Sequence, residues 1–194
     1  MKRLITMLLI CACLTLPTAA AFEPSQNYMA QMMEAVRLGD YAAGAAAWEA
    51  RGEKLAAMEL DYPAIDFEEL WLLSKIIYAE AGSNWLSMDW KMSVGEVVLN
   101  RIASPEFPNT MREVLEQPGQ YYGKNNSYFN GLKPSAECVE AAKRLLAGAR
   151  ILGEPAVVFQ SNFRQGSGVF LELRDPALGS TYLCWSSHRE LYST

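Results

Sequence analysis

Between Asp66 and Ala81 the chain is committed to a helix that has to be buried. Asp66 is suited to cap it, and Glu69 three residues later completes a capping-box pattern. Leu70, Leu73, Ile76 and Ile77 then recur at helical spacing. Advancing about 100° per residue, Glu80 falls between Ile76 and Ile77, near the middle of the apolar arc. A carboxylate there is costly unless it is paired or neutral. Periodicity alone leaves two readings of Glu80 open. It is either an exposed carboxylate where the helix frays at Ala81-Gly82-Ser83, or a desolvated acid with a raised pKa. An acid of the second kind keeps a proton for transfer near neutral pH.

Further elements surround this helix. Upstream, a segment rich in Ala, Met and Glu predicts two helices, about Asn27 to Leu38 and Tyr41 to Met58, broken at Gly39-Asp40 and packed as a hairpin. Asp61-Tyr62-Pro63 ends that prefix, and no Ser/Pro linker follows, so the hairpin is expected to dock on the rest. Downstream, Val94, Val97, Val98 and Ile102 mark a helix from about Ser87 to Ile102. Thr110 with Glu113 opens a short helix that Gln117-Pro118-Gly119 stops. Gln120 to Pro134 reads as a long loop, and Ser135 caps a helix running to Leu146. Ala156 to Phe159 and Gly168 to Leu173 are β-type runs, with turn residues at Asn162 to Gly168 that predict a hairpin between them. Helices first and strands last give an α+β class.

The N-terminus bears on compartment. Met1-Lys2-Arg3 is basic, Leu4 to Leu16 is uncharged and apolar, and Ala19-Ala20-Ala21 is a small-residue ending. That is the pattern of a secretory signal peptide over 1–21; an uncleaved membrane-anchoring N-terminus is the alternative. Processing near Ala21 implies a secreted or cell-envelope protein, with a helical prefix over 22–63 and a main domain over 64–194. Cys11 and Cys13 leave with the leader, and Cys138 and Cys184 remain. An oxidising compartment permits them to pair, but sequence separation does not decide whether they meet.

Several chemistries are disfavoured. The net charge of −5 argues against a nucleic-acid partner. One histidine and two remaining cysteines make a zinc site improbable, and no cofactor is implied. Gly166-Ser167-Gly168 is not the Gly-x-Ser-x-Gly elbow of a serine hydrolase, and His188 is the only imidazole to serve a triad.

Leu73 to Ala81, ending Tyr78-Ala79-Glu80-Ala81, resembles the opening block of the SleB/CwlJ-type cell-wall hydrolases. Val94-Gly95-Glu96-Val97-Val98-Leu99-Asn100-Arg101 is similar to that family's second block. Pro105 to Thr110 resembles the third, and Val114 with Gln117-Pro118-Gly119-Gln120-Tyr121 the fourth. The resemblance covers about Leu70 to Gly148, with the blocks in family order. It implies a lysozyme-like, lytic-transglycosylase-like α+β fold, peptidoglycan as the partner, and cleavage between N-acetylmuramic acid and N-acetylglucosamine. It also implies that Glu80 is the catalytic acid. Many members are lytic transglycosylases, in which the substrate's own 6-hydroxyl attacks; that route needs a single carboxyl group.

The remaining candidates follow from position. Gln120, Tyr121 and Tyr122 are candidates to line the sugar groove, and the amides of Gln160 and Asn162 to bind N-acetyl groups. Asn100 and Arg101 are candidates to brace the site by hydrogen bonding, with a plain surface or salt-bridge role for Arg101 equally open. Glu96, on a polar helix side with Ser93 and Asn100, reads as solvated or cleft-lining rather than catalytic. The chain departs from the family where Glu-Ala-Arg-Gly-Glu is usual: here Glu80-Ala81 runs into Gly82-Ser83-Asn84-Trp85, without the second acid. The family's late Gly-x-His motif is also missing. Retention of Glu80 favours an enzyme; loss of the second acid favours a catalytically silent wall-binding or accessory protein of the same fold.

Overall fold

A computed structural model describes residues 28–57, 65–122 and 126–192. The expected leader over 1–21 and the Asp61-Tyr62-Pro63 end of the prefix lie outside the described residues. Helices α1 (Tyr28–Leu38) and α2 (Tyr41–Ala57) form the hairpin read from the sequence. Gly39 turns the corner at φ 80°, where a side chain would be strained. The Asp40 carboxylate then accepts from Ala43 N at 3.0 Å to start α2. The hairpin lies against the next helix: Tyr41 packs its ring on Phe67 and Trp71, and Trp48 Nε1 donates to Ile65 O at 3.0 Å.

Three helices make the core. α3 (Phe67–Ala81) starts where Asp66 accepts from Glu69 N at 2.9 Å, and α4 (Met88–Ala103) where Ser87 accepts from Trp90 N at 3.2 Å. The third helix, which follows two short ones, is α7 (Ala136–Leu146), capped by Ser135. Each such cap contributes about 1 kcal/mol. Leu70, Leu73, Ile76 and Ile77 of α3 are all 0% exposed, and burying each stabilises by about 1.5–3 kcal/mol. Gly95 lets the three helices close on one another. A Cβ there would sit 2.5 Å from Leu145 Cδ1 on α7 and 2.8 Å from Ile77 Cδ1 on α3.

Two expectations about secondary structure need correction. The stretch Gln120 to Pro134 is not all loop, because it contains the short helix α6 (Ser127–Gly131) after α5 (Met111–Glu116). Asn126 caps α6 by accepting from Phe129 N at 3.0 Å, and Phe129 is driven into the core. The two β-type runs do not pair either. β1 (Val157–Ser161) and β2 (Val169–Asp175) lie on opposite sides of β3 (Gly179–Trp185), all antiparallel, in the order β1-β3-β2. The tight turn joins β2 to β3, where Asp175 accepts from Ala177 N and Leu178 N at 2.9 Å each. Leu183 of β3 is fully buried against Val97 and Val157, so this strand is the sheet's anchor to the helices. The α+β class stands. Both Cys138, in α7, and Cys184, in β3, are buried free thiols.

Helix α4 also holds the sheet by polar contacts. Glu96 is 1% exposed and accepts from three successive backbone N–H groups: Ile151 at 2.6 Å, Leu152 at 2.9 Å and Gly153 at 3.0 Å. This overturns its reading as a solvated or cleft-lining residue: a buried carboxylate is stable here because three donors replace water. One turn on, Asn100 Nδ2 donates to Glu154 O and Val157 O, both at 3.0 Å. Arg101, 3% exposed, donates through Nε to Val158 O at 2.6 Å, so it is no surface residue. The chain from 151 to 158 is thus held to one side of α4. Glu96→Gln puts an NH₂ group against those N–H donors and should cost about 3 kcal/mol. Urea unfolding of the variant checks this; a loss below about 0.5 kcal/mol, the range of neutral surface changes, would contradict the clamp.

Candidate active site

Glu80 occupies the last turn of α3, with Ile76 and Ile77 buried one turn before it. Its face is the apolar one, as the helical spacing required, but the core ends short of it and the side chain reaches solvent. The helix does not fray there, since Ala81 is still helical and buried. Tyr122 OH donates to one carboxylate oxygen and Gln160 Nε2 to the other, each at 3.3 Å. These are long for bonds to an ionised carboxylate, which favour about 2.7–2.9 Å, so both donors have room to tighten. Desolvation by the surrounding walls pushes the Glu80 pKa above the usual carboxylate range; the Tyr122 hydrogen bond and the Arg101 charge pull against it. Exposure and desolvation coexist because the carboxylate is walled by protein on several sides and open on one.

The walls come from elements far apart in sequence. Tyr122 stacks on Phe129 at 5.5 Å between ring centres with an interplanar angle of 16°, and Tyr128 packs 5.6 Å from it. α6 therefore supplies two of three rings, Phe129 and Tyr128, with Tyr122 packed between them; Tyr128 is 59% exposed. Burial pushes the Tyr122 phenol up, with the Glu80 charge adding to it. Tyr121 points inward: its ring lies 4.8 Å from the Arg101 guanidinium, and its hydroxyl is buried without a partner among the described residues. Gln160 Oε1 is likewise buried and unpartnered. Gln120 and Asn162 are exposed, and no hydrogen bond joins either to Glu80. Of the groove candidates, the structure brings Tyr122 and Gln160 onto the acid and leaves the other three off it.

Sequence reading passed over Tyr128, Trp85 and Phe163, three large exposed rings in the segments that flank Tyr122, Glu80 and Gln160. The available signal was a large aromatic within a polar stretch: Trp85 after Ser83-Asn84, Tyr128 after Asn126-Ser127, and Phe163 between Asn162 and Arg164. His188 is exposed and faces Glu190 at 3.4 Å. A cavity of about 390 Å³ lies elsewhere, lined by Tyr41, Trp71, Lys75 and Phe129 among others. Its Lys75 donates to Asn130 O at 2.7 Å, and its Glu68 is ion-paired with Arg112. It therefore offers no free acid, and the chemistry points to Glu80 instead. Among the described residues no group of three or more His, Cys, Asp and Glu side chains could hold a metal ion.

An α+β domain with a walled, partly desolvated carboxylic acid beside aromatic rings is suited to acid catalysis on a sugar polymer. Residues 87–166 match the model of the family described as Cell Wall Hydrolase, the family of the SleB/CwlJ-type enzymes that the sequence blocks resemble. No curated protein and no solved structure matches the chain. The matched stretch runs from the cap of α4 to the loop after β1; it includes Arg101, Tyr122 and Gln160, while Glu80 lies upstream of it. That match supports peptidoglycan hydrolysis in general terms and suggests an envelope or extracellular setting. Among the described residues no helix is long and apolar enough to cross a membrane.

The raised pKa has a consequence for stability. The folded state prefers protonated Glu80, so its ionisation carries a penalty. That penalty is absent below the unfolded value of about 4.3, grows as pH rises toward the folded value and is constant above it. Glu80→Gln, neutral throughout, should therefore match or exceed wild-type stability at neutral pH, with the difference shrinking in acid. Chemical denaturation of both proteins from acid to neutral pH checks this; parallel stability curves would mean that Glu80 is fully solvated.

Proposed function

We propose that the protein cleaves peptidoglycan glycan strands between N-acetylmuramic acid and N-acetylglucosamine, with Glu80 as its general acid and then its base. The observation that carries the reading is the desolvated Glu80 carboxyl, open to solvent on one side, with two neutral donors aimed at its oxygens. Protonated Glu80 gives its proton to the glycosidic oxygen as the bond to C1 breaks, and positive charge spreads over C1 and the ring oxygen. The carboxylate left behind is stabilised as Tyr122 OH and Gln160 Nε2 draw in. It then takes the proton of the attacking hydroxyl, which restores the acid.

We favour the substrate's own 6-hydroxyl as that nucleophile, which leaves a 1,6-anhydro sugar and makes the enzyme a lytic transglycosylase of lysozyme-like fold. Retaining hydrolases with a protein nucleophile place a second carboxyl about 5–5.5 Å from the first. Among the described residues, the groups that shift Glu80 are a tyrosine and an arginine, with no second acid. Water attack, giving a muramidase, is the neighbouring outcome. The missing second acid of the usual Glu-Ala-Arg-Gly-Glu favours a different reading, a silent wall-binding protein. Export by cleavage near Ala21 is part of the same proposal, since the substrate lies outside the cytoplasmic membrane.

Mass spectrometry of purified cell wall after incubation with the protein separates the cases. Anhydro-muropeptides support the favoured route, new reducing ends indicate water attack, and unchanged wall indicates the silent form. Glu80→Gln, which keeps the shape but cannot donate the proton, should lose about 10²–10⁴-fold in cleavage rate while remaining folded. Near-wild-type turnover in that variant would remove Glu80 from the mechanism.

A further inference from the structure

Arg101 carries a charge that the fold does not use for pairing. Its guanidinium is buried at the base of the site, 4.9 Å from the centre of the Phe107 ring, 4.8 Å from Tyr121 and 5.9 Å from Phe159. Nε donates to Val158 O, Nη1 has no partner, and among the described residues no carboxylate forms an ion pair with Arg101. A neutral donor would serve a brace to Val158 equally well, and desolvating a full cation is costly. Cation–π contacts with the enclosing rings offset part of that cost.

The surroundings of this charge lead to Glu80 from two sides. Tyr121, on whose ring the guanidinium lies, is next in the chain to Tyr122, whose hydroxyl meets one Glu80 oxygen. Val158, which accepts its hydrogen bond, is two residues before Gln160, whose amide meets the other. The remaining groups that bear on Glu80 are Tyr122 and Gln160, which meet its oxygens, and Tyr121, set back from it; burial pushes both phenols up, which keeps them neutral at neutral pH.

We propose that Arg101 is a positioning residue for the acid, its boxed guanidinium supplying the positive field that stabilises the Glu80 carboxylate formed when the proton is given up. It touches no substrate atom and acts across Tyr121 and the base of β1. Aromatic walls keep water and counter-ions from the guanidinium, so its field reaches Glu80 less screened than that of a surface charge. Arg101 opposes the upward push of burial on Glu80, and the two together set how strong an acid faces the substrate. The catalytic meaning of this inference rests on Glu80 being the proton donor, but the field itself does not.

The test follows the titration of the Glu80 carboxyl carbon by NMR in ¹³C-glutamate-labelled full-length protein, assigned with Glu80→Gln. Arg101→Met should move the Glu80 midpoint upward, and with it the alkaline limb of the cleavage profile. Arg101→Lys, which keeps the charge, should leave both near wild type. Phe107→Leu, which opens the box without removing charge or hydrogen bond, should move the midpoint the same way by less and stands in if Arg101→Met does not fold. An unmoved or lowered midpoint in either folded variant would overturn the proposal, as would a shift in Arg101→Lys as large as in Arg101→Met. Inactivity of the wild-type protein on peptidoglycan alongside the expected midpoint shifts would instead count against the proposed function and leave the field intact.

Discussion

One side of α4 takes hold of the chain between residues 151 and 158, and the candidate site depends on that grip. Glu96 binds three consecutive N–H groups, Asn100 two carbonyls and Arg101 a third. These are the backbone groups of the segment that leads into β1, which would otherwise lie against an apolar helix pair unsatisfied. Val97, between the polar contacts, closes on Val157 and Leu183 to seal the same joint with apolar surface. The position of Gln160 beside Glu80 is set by where β1 begins, and therefore by α4.

The acid itself arises from a simple mismatch of lengths. The apolar face of α3 extends one turn further than the core it packs on, so its last position is placed by the burial of Ile76 and Ile77 while its carboxyl faces outward. A flexible loop could not hold an acid against the pull of solvent in this way. α6 then raises the wall by packing Phe129 and Tyr128 on Tyr122, an arrangement that starts from the Asn126 cap. Packing, rather than any charged partner, is what lifts the proton affinity of Glu80.

Features that depend on local chemistry were legible in the sequence. The caps at Asp66, Thr110 and Ser135 all form, because each needs only a side chain and a backbone three residues away. The helical face of Glu80 followed from spacing, and Tyr122 and Gln160 were among the residues named for the groove. What stayed hidden depends on partners distant in the chain. Glu96 looks like a surface residue on a helical wheel, and only residues 151–153, more than fifty positions later, reveal it as a buried clamp. β3 is not among the expected strands, because its pairing with both other strands cannot be inferred from Thr181 to Trp185 alone. The box around Arg101 joins α4, Phe107, Tyr121 and Phe159, four separate stretches with no shared spacing.

A structure of Glu80→Gln with a bound peptidoglycan glycan oligomer puts the site to the most direct trial. The arrangement of Glu80, Tyr122 and Gln160 requires one glycosidic oxygen to lie within about 2.6–3.2 Å of the side chain at position 80, the reach of a proton donor. A strand seated with every glycosidic oxygen out of that reach, for example along the cavity between Trp71 and Lys75, would contradict it.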